Sequence, residues 1–456
     1  MAAGNNRVSI LNPIYNAVVS RASEHTSHSG APETAPFYGL PVLVKEVVNV
    51  SNFATTLCDP SLKSSFVSEI FTKAKTSEEE AGLVSVIKSL GANVIGKTNI
   101  PLKGLDVQCD NPVFGITKNP FDFSRTCGGS SGGSAVSVAT GMVPLSIGTD
   151  LGGSLRIPAA FCGVTSMRCS YGRLPNSGHV PPAPPSGNAE AESSIQIGPI
   201  ANDIGSLQTF LHYVSNSESS PEGLDLNGDP GGHPPLKTTC DTTIGISSCV
   251  GGFPVDARVK DFLEQSFATS VSSEGINVVD VHDQANEIDL KAVNKAYVTF
   301  SQGLFVEMKG KSNQKRLDKA VELREELRNQ VDSIFENLSC DAWVLPVTPT
   351  GFAFPNNPQK GRIDILGANG DAKPTSYWPA VLSYVLPFTV TGHPVVTMPV
   401  GMVNIKGVKL PVGVQVIGRR GGDDALLDTC RVLEEALGTV VEQPFRKIKL
   451  PEHDLW

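Results

Sequence analysis

The sequence predicts an α/β fold built on a mixed β-sheet, and two observations indicate it. Apolar runs typical of buried strands, such as residues 39–50, alternate with helical patterns such as residues 78–90. The alternation continues to the C-terminal part, where a helical pattern over residues 423–437 follows two apolar runs at 394–400 and 411–417. Helix and strand patterns that alternate along one chain are typical of sheets flanked by helices.

Charge and cysteine usage exclude several classes of function. The 456 residues carry a net charge of −9 and no basic block, so nucleic acid and anionic membrane surfaces are not expected partners. No apolar run approaches the roughly 18 residues of a membrane span, and the N-terminus lacks a secretory signal pattern, so we expect a cytoplasmic protein. The nine cysteines form no C-x-x-C pair and no zinc spacing. Free thiols in a reducing compartment, without a metal site or a cofactor, are therefore predicted.

The first predicted strand carries a charged residue in an apolar setting. Residues 8–24 contain one amphipathic helical stretch after Pro13, and residues 39–50 then read as a buried strand with Lys45 and Glu46 on opposite faces. A lysine among aliphatic side chains is destabilised as a cation, so its pKa falls, which is the condition that a base needs. The alternatives are a lysine that extends to solvent or one that pairs with Glu46.

The remaining elements follow from the same periodicities. A helix over 78–90 with acidic residues in its first turn leads to a strand over 93–97, where we interpret Lys97 as structural. A helix over 134–141 and a strand over 144–147 come next. Further strands are predicted over 243–247, 276–281 and 341–347, and further helices over 255–271, 287–308 and 314–338.

Two glycine-serine clusters, at residues 128–134 and 148–156, are the most informative part of the chain. Dense glycine lets successive N–H groups converge on one point, and the helix and strand between the clusters bring Ser130 and Ser154 to the same neighbourhood. A flexible linker is the bland alternative. A phosphate loop lacks its Lys-Ser/Thr ending, and a nucleophile elbow at G-x-S-x-G lacks the apolar strand that should precede it.

The second cluster continues as Ser-Leu-Arg-Ile-Pro-Ala-Ala-Phe-Cys-Gly over 154–163, and this constellation resembles the amidase signature family. The resemblance covers nearly the whole chain, including Gly-x-Pro-x-x-x-Lys over 39–45 and the segments 391–394 and 413–415. It implies a central mixed β-sheet covered by helices on both faces. It also implies Ser154 as the nucleophile, Ser130 as a bridging serine preceded by a cis peptide bond, and Lys45 as the base.

The resemblance implies further parts of the site. Glycines before the nucleophile indicate an oxyanion hole made by the backbone N–H groups of Leu151, Gly152, Gly153 and Ser154. The chain that leads into the first cluster passes the mouth of the site and supplies candidate substrate contacts, which are Gln108, Cys109, Asp110, Cys127 and Gly129. Cys127 as a nucleophile lacks a His/Asn context. His393, in a turn before a strand, is interpreted as structural.

The chain also departs from the family pattern. Glu46 stands where an aspartate is usual, Leu102 where an acidic residue is usual, and Asn202 where an arginine is usual. The resemblance implies a single domain over 1–456, slightly short at the N-terminus because one or two helices normally come before its first helix. Residues 170–240, rich in Gly and Pro, are expected to form a loop-rich excursion.

The implied function is hydrolysis of a small-molecule carboxylic amide with release of ammonia or an amine. Two alternatives stay open: a glutaminase component of an amidotransferase, and a catalytically silent relative that only binds. A homodimer also stays open. Four aromatic residues of the 350–384 loop favour an aromatic or apolar acyl group, namely Phe352, Phe354, Tyr377 and Trp378.

Overall fold

The computed structural model describes residues 2–22, 30–60, 80–180, 194–217, 238–305, 311–356, 361–438 and 441. Eleven of the strands form one mixed sheet in the order β1-β3-β2-β4-β6-β5-β12-β13-β9-β7-β8, and β10 and β11 form a separate pair. The strands are β1 Val18–Arg21, β2 Pro41–Lys45, β3 Asn93–Thr98, β4 Leu145–Asp150, β5 Thr165–Arg168, β6 Gln196–Ala201, β7 Thr243–Ile246, β8 Asn277–Asp280, β9 Ala342–Pro346, β10 Arg362–Leu366, β11 Ala372–Ser376, β12 Val395–Ile405 and β13 Val408–Ile417.

Helices connect these strands and cover the sheet. The α-helices are α1 Ala2–Tyr15, α2 Gly82–Ser89, α3 Gly132–Ala139, α4 Arg156–Cys162, α5 Ile204–Ser215, α6 Ala257–Asp261, α7 Ala268–Ser273, α8 His282–Asn286, α9 Leu290–Phe305, α10 Lys311–Leu338, α11 Tyr377–Leu382, α12 Leu386–Thr391 and α13 Asp423–Leu437. None of the helices in the described ranges is long and apolar enough to cross a membrane.

The two faces of the sheet belong to different hydrophobic clusters, as the alternation of side chains along a strand requires. Val344 of β9 packs in a cluster with residues of α2, α5 and α13, whereas its neighbours Trp343 and Leu345 pack with residues of α9 and α10. In β2, Val44 joins the first cluster and Leu43 joins a third one that includes α1 and α3. The predicted α/β fold with helices on both faces is thus confirmed.

Parallel pairing of β2 with β4 positions the candidate site. Val44 pairs with Ile147, so the two strands end side by side at the same edge of the sheet. Lys45 is the last residue of β2, and Thr149 and Asp150 are the last residues of β4. The chain then passes through a short loop into α4, which lies against β13. This packing requires a glycine, because a Cβ on Gly413 would lie 2.3 Å from the Cβ of Ala160 in α4.

The N-terminal elements differ from the prediction. Helix α1 lies mainly before Pro13 and ends near Asn16, whose φ of +54° is left-handed. The next residues form the edge strand β1, which runs antiparallel to β3. Asn12 fixes this change of direction, since its side chain donates to the Val18 carbonyl at 2.8 Å and accepts from the Val18 N–H at 2.7 Å. The helical periodicity after Pro13 was misleading because β-branched residues there prefer an extended backbone.

Other boundaries also shift. The interval 170–240 is not all loop, because it contains β6, which pairs with β4 and β5, and helix α5; residues 181–193 and 218–237 lie outside the described part. The single helix expected over 255–271 is interrupted by a π-helical stretch between α6 and α7. Helix α2 starts only at Gly82, so Glu80 precedes it rather than forming its first turn. Helix α13 has the predicted bounds.

Candidate active site

Lys45 is a buried lysine with three neutral acceptors. Its side chain is 1% exposed, and Nζ donates to Ser130 Oγ at 2.7 Å, to Thr149 Oγ1 at 2.8 Å and to the Thr149 carbonyl at 3.3 Å. Burial lowers the pKa of Lys45 to about 7, although the charges of Asp150, Cys109 and Glu46 act in the opposite direction. A large share of the amine is therefore uncharged near neutral pH, and in that form it can accept the Ser130 proton.

The loop that carries Ser130 is held by close packing. The peptide bond between Gly129 and Ser130 is cis, at the position where the family resemblance implies it. Gly128 has a φ of +80°, and a Cβ there would lie 2.6 Å from the Cα of Pro158 in α4. Ser131 ties this loop to β4, because its Oγ donates to the Thr149 carbonyl at 3.1 Å and accepts from the Thr149 N–H at 3.2 Å. The two glycine-serine clusters are thus joined directly.

A buried carboxylate shapes the turn that carries Ser154. Asp150 accepts from the N–H groups of Gly153 at 2.9 Å and Leu155 at 3.1 Å, which lie on either side of Ser154. Arg156 binds the same carboxylate with Nε at 3.0 Å and Nη2 at 2.9 Å. Burial acts to raise the pKa of Asp150, but Arg156 and Arg168 outweigh it and hold that pKa well below its usual range. The turn is therefore built around a permanent negative charge.

The hydrogen bond of Gly153 bears on the predicted oxyanion hole. Because its N–H donates to Asp150 within the turn, it points away from a substrate oxygen. Leu151, Gly152 and Ser154 are left as the candidate donors. The sequence could not reveal this, since it does not indicate which way an N–H of a glycine-rich turn points.

Lys45, Ser130 and Ser154 line one cavity of ≈ 40 Å³. Its other polar lining residues are Thr149, Lys103 and His179, and the remaining ones are apolar or glycine, namely Val47, Gly104, Leu105, Leu151, Val180 and Ile195. Within the described residues, a hydrogen bond joins Lys45 to Ser130, whereas none joins Ser130 to Ser154. The structure thus brings the three predicted catalytic residues together around a shared space.

The predicted substrate contacts are not in this lining. Cys109 and Cys127 are buried beneath the first glycine loop, where the missing Cβ of Gly132 leaves room for both thiols. Gln108 donates to the Tyr377 hydroxyl at 3.4 Å, and Asp110 is exposed. Gly129 belongs to the loop of Ser130, and a Cβ there would lie 2.9 Å from the Asp106 carbonyl. These residues support or flank the site rather than face its cavity.

The aromatic residues expected to favour an aromatic acyl group also lie elsewhere. Phe352, Phe354 and Tyr377 are buried in hydrophobic clusters, and Trp378 is 48% exposed. Sequence reasoning also missed cavity residues. Thr149 lies inside the second glycine-serine cluster and was open to detection there, whereas Lys103 and His179 follow no motif.

Two polar residues that resemble catalytic groups have structural contacts. His393 is fully buried, with Nδ1 2.9 Å from Thr391 Oγ1 and Nε2 3.0 Å from Asp332 Oδ1, and burial lowers its pKa. Lys97 donates to Thr55 Oγ1 at 2.7 Å and to the Ala54 carbonyl at 3.1 Å. Within the described ranges, no group of three or more His, Cys, Asp or Glu side chains is arranged to hold a metal ion.

Comparison with protein families accounts for this constellation. The amidase family model matches residues 1–305 and 298–427. The chain belongs to the amidase signature family. Membership supports amide hydrolysis as the class of reaction.

Relatives of this amidase span nearly the same length. The A-type component of the glutamyl-tRNA(Gln) amidotransferase of Methanospirillum hungatei is 28% identical over 447 residues, covering 88% of this chain and 93% of the relative. The 6-aminohexanoate-cyclic-dimer hydrolase of Paenarthrobacter ureafaciens is 25% identical over 483 residues, covering 96% and 91%. The crystal structure of the corresponding amidotransferase component from Thermotoga maritima superimposes with a TM-score of 0.74 at 23% identity, over 97% of this chain and 94% of that one. That likeness shows the shared fold.

Removal of the Asp150 charge is expected to disrupt the turn of this amidase. In Asp150→Asn, Arg156 and Arg168 become buried cations without a counter-charge, which should destabilise the protein by about 3–5 kcal/mol. Urea unfolding measures the loss. The matched control is Asp424→Asn, which removes an exposed ion pair with Arg173 and should cost less than about 1 kcal/mol. A loss for Asp150→Asn no larger than that of the control would contradict this account of the turn.

Proposed function

We propose that the protein hydrolyses small carboxylic amides through Ser154, with Ser130 and Lys45 as a proton relay and an acyl-enzyme as the intermediate. The observation that carries the proposal is the 2.7 Å contact between the buried Lys45 amine and Ser130 Oγ, in a cavity that Ser154 also lines. A hydroxyl is a weak nucleophile until a neighbouring base takes its proton. Lys45 is suited to that role because its pKa of about 7 lies near physiological pH.

The reaction has two halves. Ser154 Oγ attacks the amide carbon and forms a C–O bond, while its proton passes to Ser130 and the Ser130 proton passes to Lys45. When the C–N bond breaks, the same path returns a proton to the nitrogen, so that ammonia or an amine leaves and an ester to Ser154 remains. Water, deprotonated by the relay, then releases the acid and restores the serine. A small rotation of Ser154 is needed to close the relay, since its hydroxyl is not hydrogen-bonded to Ser130 before substrate binds.

Backbone donors stabilise the oxyanion in this proposal. The candidate donors are the N–H groups of Leu151, Gly152 and Ser154, in the turn after β4. One such donor is worth about 10²–10³-fold in rate. The clamp of Asp150 on Gly153 and Leu155 supports this role, because donors that are already fixed need no reorganisation during the reaction.

The dimensions of the cavity favour a small apolar acyl group. The space of ≈ 40 Å³ has room for only a few water molecules, and the side walls include Val47, Leu105 and Ile195. Short aliphatic amides suit this lining better than aromatic amides.

A glutaminase role is the second candidate, since several relatives carry the name of the A-type component of glutamyl-tRNA(Gln) amidotransferase. Glutamine brings an α-ammonium group that needs an acidic partner. The described lining of the cavity contains no Asp or Glu side chain. This argues for the free hydrolase.

A panel of amides tests the choice. Ammonia release is measured with acetamide, butyramide, benzamide and glutamine at equal concentration, and size-exclusion chromatography reports the assembly state in parallel. Butyramide should be the best substrate, with glutamine at least about tenfold lower in kcat/KM, which corresponds to about 1.4 kcal/mol of discrimination. Preference for glutamine would favour the amidotransferase role. No turnover of any amide, together with no labelling by a fluorophosphonate, would favour the catalytically silent relative.

A further inference from the structure

Glu46, the residue after Lys45, is a buried carboxylate with backbone partners. It is 1% exposed and accepts from the N–H of Leu57 with Oε1 at 3.0 Å and Oε2 at 3.1 Å, and from the N–H of Thr56. Hydrogen bonds to an ionised acceptor are among the stronger ones in proteins. Glu46 therefore fixes the start of the turn formed by residues 56–59, which we call the support turn.

The support turn has a backbone conformation that needs such fixing. Leu57 and Cys58 have φ values of +53° and +52°, so two successive residues with a Cβ are left-handed. That region is disfavoured for L-residues and persists only where surrounding contacts determine it. The Leu57 N–H is directly bonded to Glu46, and the Cys58 N–H donates to Thr56 Oγ1 at 3.1 Å.

The support turn holds one wall of the cavity. The N–H of Lys103 donates to the Leu57 carbonyl at 2.8 Å, and Lys103 Nζ lies 3.1 Å from Asp59 Oδ2. Lys103 is itself left-handed, with a φ of +56°, as is Gly104 at +70°. We call residues 103–105 the wall segment, because all three line the cavity.

The wall segment approaches the candidate relay closely. A Cβ on Gly104 would lie 3.8 Å from Ser130 Oγ and 3.6 Å from the Cγ1 of Val47. A displacement of this segment by a fraction of that distance changes the space beside Ser130. An unbroken series of contacts thus leads from Glu46 through the support turn to the space in which the substrate is proposed to bind.

We propose that Glu46 is a positioning residue that holds the wall segment against Ser130 through the support turn, and thereby sets the size of the acyl group that the cavity accepts. The inference rests on the proposed amide hydrolysis for its kinetic consequence, but its structural half does not. Glu46 does not touch the reacting atoms. Its removal should weaken binding and the selection of short acyl groups more than it slows the chemical step.

Hydrogen exchange tests the structural half without any turnover. In Glu46→Gln, one charged acceptor becomes an amide whose NH₂ end repels the N–H groups of the support turn. Exchange should rise at least about tenfold in peptides that cover residues 54–59 and 101–105, and stay unchanged in those that cover 145–150. The matched control is Glu80→Gln, since Glu80 accepts from the Ser51 N–H at 3.2 Å but does not contact the support turn. Faster exchange confined to 54–59 would overturn the proposal.

Kinetics test the functional half. With butyramide at pH 9, where Lys45 is uncharged, Glu46→Gln should raise KM about three- to tenfold, change kcat by less than about twofold, and reduce the preference for butyramide over hexanamide. Glu46→Asp should restore part of the preference, and Asp59→Asn should reproduce the KM effect. A lower kcat with an unchanged KM would overturn the proposal, because Glu46 would then act on the relay. If the parent hydrolyses no amide, the proposed function fails, whereas hydrogen exchange still decides whether Glu46 holds the wall segment.

Discussion

Replacement of Ser154 by alanine is expected to lower kcat for amide hydrolysis by about 10⁶-fold, the effect of removing the nucleophile of a serine hydrolase. The fold should survive, because the hydrogen bond that the structure gives Ser154 uses its main-chain carbonyl, which accepts from the Ser131 N–H at 3.2 Å and is retained in alanine. Steady-state ammonia release and thermal unfolding measure the two outcomes on the same preparation.

Covalent labelling separates the two serines. A fluorophosphonate should modify the parent at Ser154, and peptide mapping of the adduct identifies the site. Ser154→Ala should not be labelled, whereas Ser130→Ala should be labelled more slowly, because it keeps the nucleophile and loses only the relay. Retained turnover in Ser154→Ala, or an adduct on Ser130 in the parent, would refute the assignment of the nucleophile.

Replacement of Lys45 by methionine is expected to lower kcat/KM by about 10²–10⁴-fold, the usual contribution of general base catalysis. In the parent, the active form of Lys45 is the uncharged one. The protonated amine dominates below a pKa of about 7, so kcat/KM should rise with pH through about 7 and level off above it. Asp150, Cys109 and Glu46 each act to raise this pKa, and burial outweighs them. Lys45→Met should lack this pH-dependent rise.

Lys97→Met is the matched control for Lys45→Met. Lys97 is also buried, on the neighbouring strand β3, and burial lowers its pKa to about 8. Its contacts are with Ala54 and Thr55, outside the cavity, so the control should keep the rise of kcat/KM near pH 7. If both variants lost that rise equally, or if Lys45→Met hydrolysed amides at the parental rate, Lys45 would have only a structural role.

Stability should change in the opposite sense to activity. The folded-state pKa of Lys45, about 7, lies below the unfolded value of about 10.4. The unfolded chain therefore binds more protons between these values, and the contribution of Lys45 to stability rises with pH across that window. At pH 7 and below, the parent carries the full penalty, so Lys45→Met should unfold at a temperature equal to or higher than that of the parent.

Local patterns of the sequence were sufficient to predict the architecture and the residues that meet at the cavity. The buried run over 39–50 placed Lys45 on a strand, and the two glycine-serine clusters placed Ser130 and Ser154 in loops that flank α3 and β4. These inferences need only the side-chain period of a strand and the short chain distance between the clusters.

The remaining parts of the site depend on contacts between distant segments. Arg156 donates to the Val385 carbonyl at 2.7 Å and to Thr389 Oγ1 at 2.7 Å, and no local pattern announces either partner. Cys109 and Cys127 were expected to face the substrate, but they fill the space left by Gly132 beneath the loop. The support turn escaped prediction because Leu57 and Cys58 are residue types that rarely adopt left-handed backbone.

Nuclear magnetic resonance of the Lys45 amine tests the central claim most directly. The protein is labelled at lysine Nζ and Cε, the Lys45 signal is assigned by its loss in Lys45→Met, and its chemical shift is followed from about pH 5 to about pH 11, a range that spans the folded and unfolded pKa values of lysine. A titration midpoint near 7 is the expected result, since it would supply the uncharged amine that the relay requires. An amine that stays protonated to pH 9 or above would contradict the proposed mechanism.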